Sequence, residues 1–358
     1  MDDAAPPLVE QSVLDDLRTR LRAYRAVADT GTAGWDRGTD AGYLAGLVRS
    51  WAEEYDWRPH EQRIRALPWE RAGELRVVHQ RSTAADAVPV VLLHGWPDSV
   101  LRYERALPLL TDVHVVVPAL PGYPFAAPLA DRDLSSAQMS DLVAAAMTDL
   151  GYDRFVVSAG DIGRGVAVGL ASRHPERLRA LHLTDVPTNV QVDDPGEAER
   201  ELQEQVTRWR LADGAYALEQ STRPHTLTVA LGDSPAGLAA WIVEKLRDWS
   251  DCGGDVESVW SREELLTWVT AYWVTGAIGT SFAPYAHRSP DVAPMDVPTV
   301  VQQFPEELIR VPRSVAERAF DLRGWREESA GGHYAAWELP EVWLAGLREA
   351  LEVSRAAG

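Results

Sequence analysis

Apolar residues recur at spacings of three and four between residues 12 and 57, where Leu14, Leu17 and Leu21, then Leu44, Leu47 and Trp51, alternate with charged positions. That period predicts amphipathic helices, with Trp35, Trp51, Tyr55 and Trp57 as packing aromatics. The pattern then shortens. Residues 74–80 alternate weakly, as an edge strand does, and 88–94 is a largely apolar run ended by Gly95-Trp96-Pro97, as expected of a strand covered on both faces. Comparable strand patterns follow at 113–120, 155–158, 178–186, 297–303 and 324–329. Helical patterns stand between or after them at 102–110, 136–150, 165–173 and 335–353. Strands alternating with helices of this length predict an α/β fold, a mostly parallel central sheet with helices on both faces. From 189 to 290 the strand rhythm stops, and 206–211, 236–249 and 262–278 show helical spacing with many Trp and Tyr. The expected organisation is a helical N-terminal extension (1–70), a first core part (71–188), an inserted helical cap (189–290) and a second core part (291–358).

Composition narrows the classes of partner. With 358 residues and 46% hydrophobic content the chain is long enough for a sizeable core. A net charge of -19 with no concentrated basic patch repels nucleic acid and anionic membrane surfaces, so neither is an expected partner. Cys252 is the single cysteine and cannot form an intrachain disulfide. The first residues lack the basic and apolar regions of a signal peptide, and no run approaches the ~20 apolar residues of a membrane span. A cytoplasmic location is expected. Lys245 is the only lysine, a bias that arginine-rich coding explains at least as well as any function.

Chemistry enters at residues 155–166. An apolar run passes through Ala159 and Gly160 to Asp161, then through Gly163 into a helical pattern. The sharp strand-to-helix turn of α/β-hydrolases has the form G-x-S-x-G, with small flanks where bulky ones would clash. Here an aspartate occupies the serine's place. A carboxylate nucleophile attacks saturated carbon and forms an alkyl ester. The remaining triad members should follow in the order acid, then histidine. His333 qualifies because it follows a strand pattern and two glycines, Gly331 and Gly332. For the acid, Glu306 and Glu307 both qualify after the strand ending near Gln303. Backbone N–H groups of Trp96 and Ile162 are the candidate oxyanion donors, and His94 reads as a structural brace of its loop.

Several stretches, taken in order, resemble the epoxide hydrolases of the microsomal type with their N-terminal extension. They are Tyr55-Asp56-Trp57-Arg58, His94-Gly95-Trp96-Pro97-Asp98-Ser99, Pro121-Gly122-Tyr123, Gly160-Asp161-Ile162-Gly163, Gly232-Asp233-Ser234-Pro235-Ala236-Gly237-Leu238 and Gly331-Gly332-His333-Tyr334-Ala335-Ala336. The resemblance implies an α/β-hydrolase fold, Asp161 as nucleophile, His333 as base and Glu307 as its acid. It also implies two cap tyrosines that hydrogen-bond the epoxide oxygen. Tyr216, ahead of Gln220-Ser221-Thr222-Arg223-Pro224, and Tyr285, after Tyr272-Trp273-Val274-Thr275-Gly276, take those positions. No metal or cofactor is implied. The family usually carries an aromatic directly after the nucleophile, and Ile162 departs from it. Haloalkane dehalogenation is the alternative chemistry, with Trp96 as one halide donor but Ile162 where the second would stand. A non-catalytic small-molecule binder is the alternative outside enzymes. The aromatic cap points to a bulky, apolar epoxide, with arene oxides, terpenoid or fatty epoxides and intermediates of secondary metabolism all open. A homodimer through the extension is left open.

Overall fold

The computed structural model describes residues 4–27, 34–129, 133–191, 194–287 and 291–356. Its strands are β1 (Trp69–Ala72), β2 (Leu75–Gln80), β3 (Pro89–Leu93), β4 (His114–Ala119), β5 (Phe155–Ala159), β6 (Leu178–Leu183), β7 (Met295–Gln303) and β8 (Phe320–Glu327). They form one sheet in the order β1-β2-β4-β3-β5-β6-β7-β8. β2 pairs antiparallel with β1 and β4, and every other pairing is parallel. The Val-rich strands β3, β4 and β5 are buried along nearly their whole length, which is why they read as continuous apolar runs.

Local chemistry sets the helices around this sheet. Ser135 and Gln138 form a capping box that starts helix Ser136–Asp149. Helix Asp161–Arg173 packs closely against it, because a Cβ on Gly169 would stand 2.8 Å from the Ser140 hydroxyl. Between β6 and β7 come helices Glu197–Ala212, Ala215–Thr222, Pro224–Asp233, Pro235–Asp248, Arg262–Thr275 and Ala283–Ala286. The N-terminal helices Gln11–Arg22, Ala41–Glu53 and Trp57–Arg65 are tied to this inserted set. Thr39 donates to the Ala240 carbonyl at 2.8 Å, and the Tyr55 hydroxyl to Thr267 at 3.1 Å. Among the described residues no single helix is long and apolar enough to cross a membrane; helices Pro224–Asp233 and Pro235–Asp248 would suffice only together, and they are bent by 114°.

Three expectations need correction. Residues 74–80 are not the sheet edge, because a hairpin through Gly73 (φ 54°) adds β1 outside β2. The helix expected at 102–110 is a pair of short 3-10 turns, Val100–Tyr103 and Leu107–Leu109. Pro108 lies within the second, and Arg102 turns into the core instead of toward solvent. The closing helix expected at 335–353 is split by Pro340 into Ala335–Glu338 and Pro340–Ala356.

Candidate active site

The C-terminal ends of β3, β5, β6 and β7 lie side by side, so the loops that leave them converge. Asp161 follows β5 and is one of two described non-glycine residues with positive φ, at 53°. Small neighbours make that turn feasible. A Cβ on Gly163 would lie 2.4 Å from the Leu93 carbonyl oxygen, and one on Gly160 would lie 2.5 Å from the Thr184 hydroxyl. The Trp96 backbone N–H donates to Asp161 Oδ1 at 2.7 Å. Ile162, half-buried, stands in the first helical turn, where backbone N–H groups lack intrahelical acceptors.

His333 faces the other carboxylate oxygen. Its Nε2 is 3.6 Å from Asp161 Oδ2, beyond a hydrogen bond, and has no hydrogen-bond partner among the described residues. Its Nδ1 meets Glu307 Oε1 at 2.8 Å. Of the two neighbouring glutamates, Glu307 is therefore the one that faces His333, while Glu306 is exposed. Gly331 (φ 102°) and Gly332 bring the chain close to the inserted helices: a Cβ on Gly332 would stand 2.5 Å from the Trp249 carbonyl oxygen, which accepts the His333 N–H at 2.8 Å.

Electrostatics differ among these groups. Burial works against the imidazolium, but the carboxylates of Glu307 and then Asp161 outweigh it and push His333 up to about 9. Glu307 is buried too, yet the facing imidazolium holds it below the ordinary carboxylate range.

Above this row stand the two tyrosines. The Tyr216 ring stacks on Trp96 at 5.4 Å and 13°, and lies 6.2 Å from the Tyr285 ring. Both phenols are held protonated chiefly by burial, then by neighbouring groups that include Asp161. Trp249 lies between His333 and Tyr216, 5.4 Å from the first ring and 5.1 Å from the second. The site thus brings together the Asp161 carboxyl group, an imidazolium with its own carboxylate, and two protonated phenols inside an aromatic enclosure.

His94 is fully buried and accepts the Leu120 N–H at Nε2, 3.2 Å, in keeping with a bracing role. Other supports were not legible. Asp98 and Arg102 form a buried ion pair, and Arg102 also donates to the His333 carbonyl. From the inserted helix Arg262–Thr275, Trp268 donates to the Pro97 carbonyl at 2.7 Å and Tyr272 to that of Asp98 at 2.8 Å. Asp185, after β6, accepts the Asp161 N–H at 3.1 Å and pairs with Arg164 at 3.3 Å. The sequence carries one hint for Arg102, a lone cation between apolar Leu101 and Tyr103; for Asp185 it carries none.

Comparisons with known proteins agree with this architecture. Residues 6–103 match the family described as epoxide hydrolase N terminus, and residues 88–229 match the alpha/beta hydrolase fold. An epoxide hydrolase homologue from Stigmatella aurantiaca is 35% identical over 370 residues, covering 97% of this chain and 84% of the relative. Epoxide hydrolase 1 of Sus scrofa is 26% identical, covering 94% and 85%. The structure of Aspergillus niger epoxide hydrolase superposes with a TM-score of 0.86 at 29% identity, covering 98% of each chain. That of the juvenile hormone epoxide hydrolase of Bombyx mori superposes with 0.86 at 25%, covering 98% of this chain and 94% of that one. Likeness that runs through the N-terminal region, the sheet and the inserted helices alike places the chain in the epoxide hydrolase family, as an α/β-hydrolase of the microsomal type.

Proposed function

We propose that the chain converts an epoxide to a vicinal diol in two steps through a covalent ester on Asp161. The observation that carries this reading is the division of labour at one carboxylate: Asp161 Oδ1 is held by the Trp96 N–H, and Oδ2 faces His333. In the first step an Asp161 oxygen forms a bond to an epoxide carbon while the carbon–oxygen bond breaks. The electron pair goes to the epoxide oxygen, which Tyr216 and Tyr285 stabilise by hydrogen bonding and proton donation.

The second step needs a base, yet His333 at about 9 begins as a cation. Alkylation changes that. An ester carries no charge, so one of the two carboxylates that favour the imidazolium disappears and the imidazole becomes the better base when water must be activated. The phenolate left by ring opening takes the proton of His333, which is then neutral. Water gives a proton to His333 and its oxygen to the ester carbonyl carbon. Trp96 and Ile162 N–H groups receive the oxyanion, and Glu307 stabilises the new imidazolium. The tetrahedral species collapses by breaking the bond from that carbon to the alkyl oxygen, which takes the proton from His333 and leaves as the diol, while the carboxylic acid left on Asp161 returns its proton to His333. No step calls on a metal or cofactor. Trp96, Trp249 and Phe282 around the tyrosines favour a bulky apolar substituent on the epoxide.

Intact-protein mass spectrometry tests the sequence of steps. With His333→Gln the protein should gain the full mass of styrene oxide once per chain and then stall, while Asp161→Asn should gain nothing and release no diol. Turnover of styrene oxide at the normal rate by Asp161→Ala would sink the mechanism. Binding without mass gain or turnover across an epoxide panel would favour a non-catalytic binder. The Trp96 indole N–H is buried without a partner among the described residues, the kind of donor a halide would use. Bromide release from bromoalkanes in preference to diol release from styrene oxide would turn the reading to dehalogenation.

A further inference from the structure

Of the 35 basic residues only Lys245 is a lysine, so whatever favours arginine in this chain spared one position. That position is not on the surface. Lys245 is 6% exposed, in the last turn of helix Pro235–Asp248, and burying a lysine is costly unless its charge is used. Its Nζ lies 5.1 Å from the centroid of the Tyr216 ring and 6.0 Å from that of Trp241. Glu244 accepts from it at 2.9 Å. Tyr216 is thus enclosed by Trp96, Trp249 and an ammonium group. A compact ammonium places a point charge there, which a planar guanidinium spreads over a larger fork.

A cation over a phenol ring is attracted by the ring's electrons, and the attraction grows as the ring gains negative charge. Tyr216 gains such charge when its O–H donates to a developing alkoxide. The balance around the phenol otherwise leans the wrong way: burial first, then Asp161 and Glu307, disfavour a phenolate, with the Tyr285 hydrogen bond and Arg164 acting against them. We propose that Lys245 is a positioning residue for ring opening, whose ammonium group acts through the ring of Tyr216 to stabilise the phenolate character that Tyr216 acquires as the epoxide carbon–oxygen bond breaks. This rests on the epoxide reading of the site. It concerns only the first step, because ester hydrolysis draws on His333 and Glu307 and asks no proton of Tyr216.

The test separates the two steps by rapid quenching and intact mass, with styrene oxide as probe. Lys245→Met, compared with native Lys245 in a His333→Gln background, should slow gain of the styrene oxide mass by about tenfold, the worth of a desolvated cation over a ring. With His333 intact, decay of the ester should stay within about twofold, since nothing in that step touches the ring. Lys245→Arg, which keeps the charge, should recover the rate to within about threefold. In a Tyr216→Phe background Lys245→Met should change ester formation by less than about twofold, because a double-mutant cycle isolates what passes between the two residues. Equal slowing in the presence and absence of the Tyr216 hydroxyl, or equal slowing of both steps, would overturn the proposal and leave Lys245 a packing residue. Lys245→Gln serves as the uncharged variant if the methionine chain does not fold. If the His333→Gln protein with native Lys245 gains no mass, the epoxide reading falls, and not the role of Lys245 alone.

Discussion

At Asp161 the backbone and the chemistry compete. A non-glycine residue at φ 53° sits in the left-handed region, at a cost on the order of 1–3 kcal/mol, so its surroundings must hold it there. Asp185 does so from below through the Asp161 N–H, and the Trp96 N–H from the side through Oδ1. Gly95 is the residue that allows the second contact, since a Cβ there would lie 2.2 Å from Oδ1 and 2.7 Å from Cγ. Gly95→Ala should therefore displace either the carboxylate or the Trp96 N–H while leaving the sheet intact. The expected loss in ester formation is about 10²–10³-fold, the worth of one preorganised donor at a reacting oxygen. Rapid-quench kinetics with a circular dichroism control measures it, and wild-type kinetics would show that the loop retreats freely.

At the scale of elements, the sheet centre carries a second histidine that the mechanism leaves unused. Ser158 on β5 meets His182 on β6 at 2.8 Å, His182 meets Gln302 on β7 at 3.0 Å, and Gln302 donates to the Val342 carbonyl of helix Pro340–Ala356 at 2.8 Å. This chain of contacts joins three strands to the closing helix. Gly346 permits it, because a Cβ there would lie 2.3 Å from Gln302 Oε1. Burial drives His182 down to about 4 from an ordinary 6.5, so the folded state holds it neutral. The sign follows from linkage: its stabilising contribution is complete above pH 6.5 and is lost as pH falls through about 4. Between pH 7 and 4 the wild type should lose about 3 kcal/mol more stability than His182→Gln, whose side chain does not titrate. Urea unfolding at both pH values measures the difference. Parallel pH dependences in the two proteins would mean that His182 is not the titrating group.

At the scale of the whole molecule, the N-terminal helices are seated on the inserted helices, which in turn hold the loop after β3 through Trp268 and Tyr272. Trp51 is 1% exposed on helix Ala41–Glu53, which packs against the inserted helices Pro235–Asp248 and Arg262–Thr275. Trp51→Ala should cost about 3–5 kcal/mol, seen as a lower midpoint in thermal unfolding, and a midpoint unchanged from wild type would mean that the extension is not part of the cooperative unit. How much of this was legible follows from where each signal lives. The strand-helix alternation and the elbow at Asp161 are local patterns, so hydrophobic period and small residues sufficed to read them. Glu306 and Glu307 are neighbours with equal claim in the pattern, and only the way β7 ends beside His333 turns one inward and leaves the other in water. Arg102 entered the reading only as the start of a helix, because nothing local records that it spans to a carbonyl 231 residues away. Lys245 read as an accident of coding until packing set it over the Tyr216 ring. By itself the sequence determined the order of elements and the type of chemistry, because both are written in spacing along the chain; which side chains face one another was decided by tertiary structure alone, because packing between distant segments has no period to read.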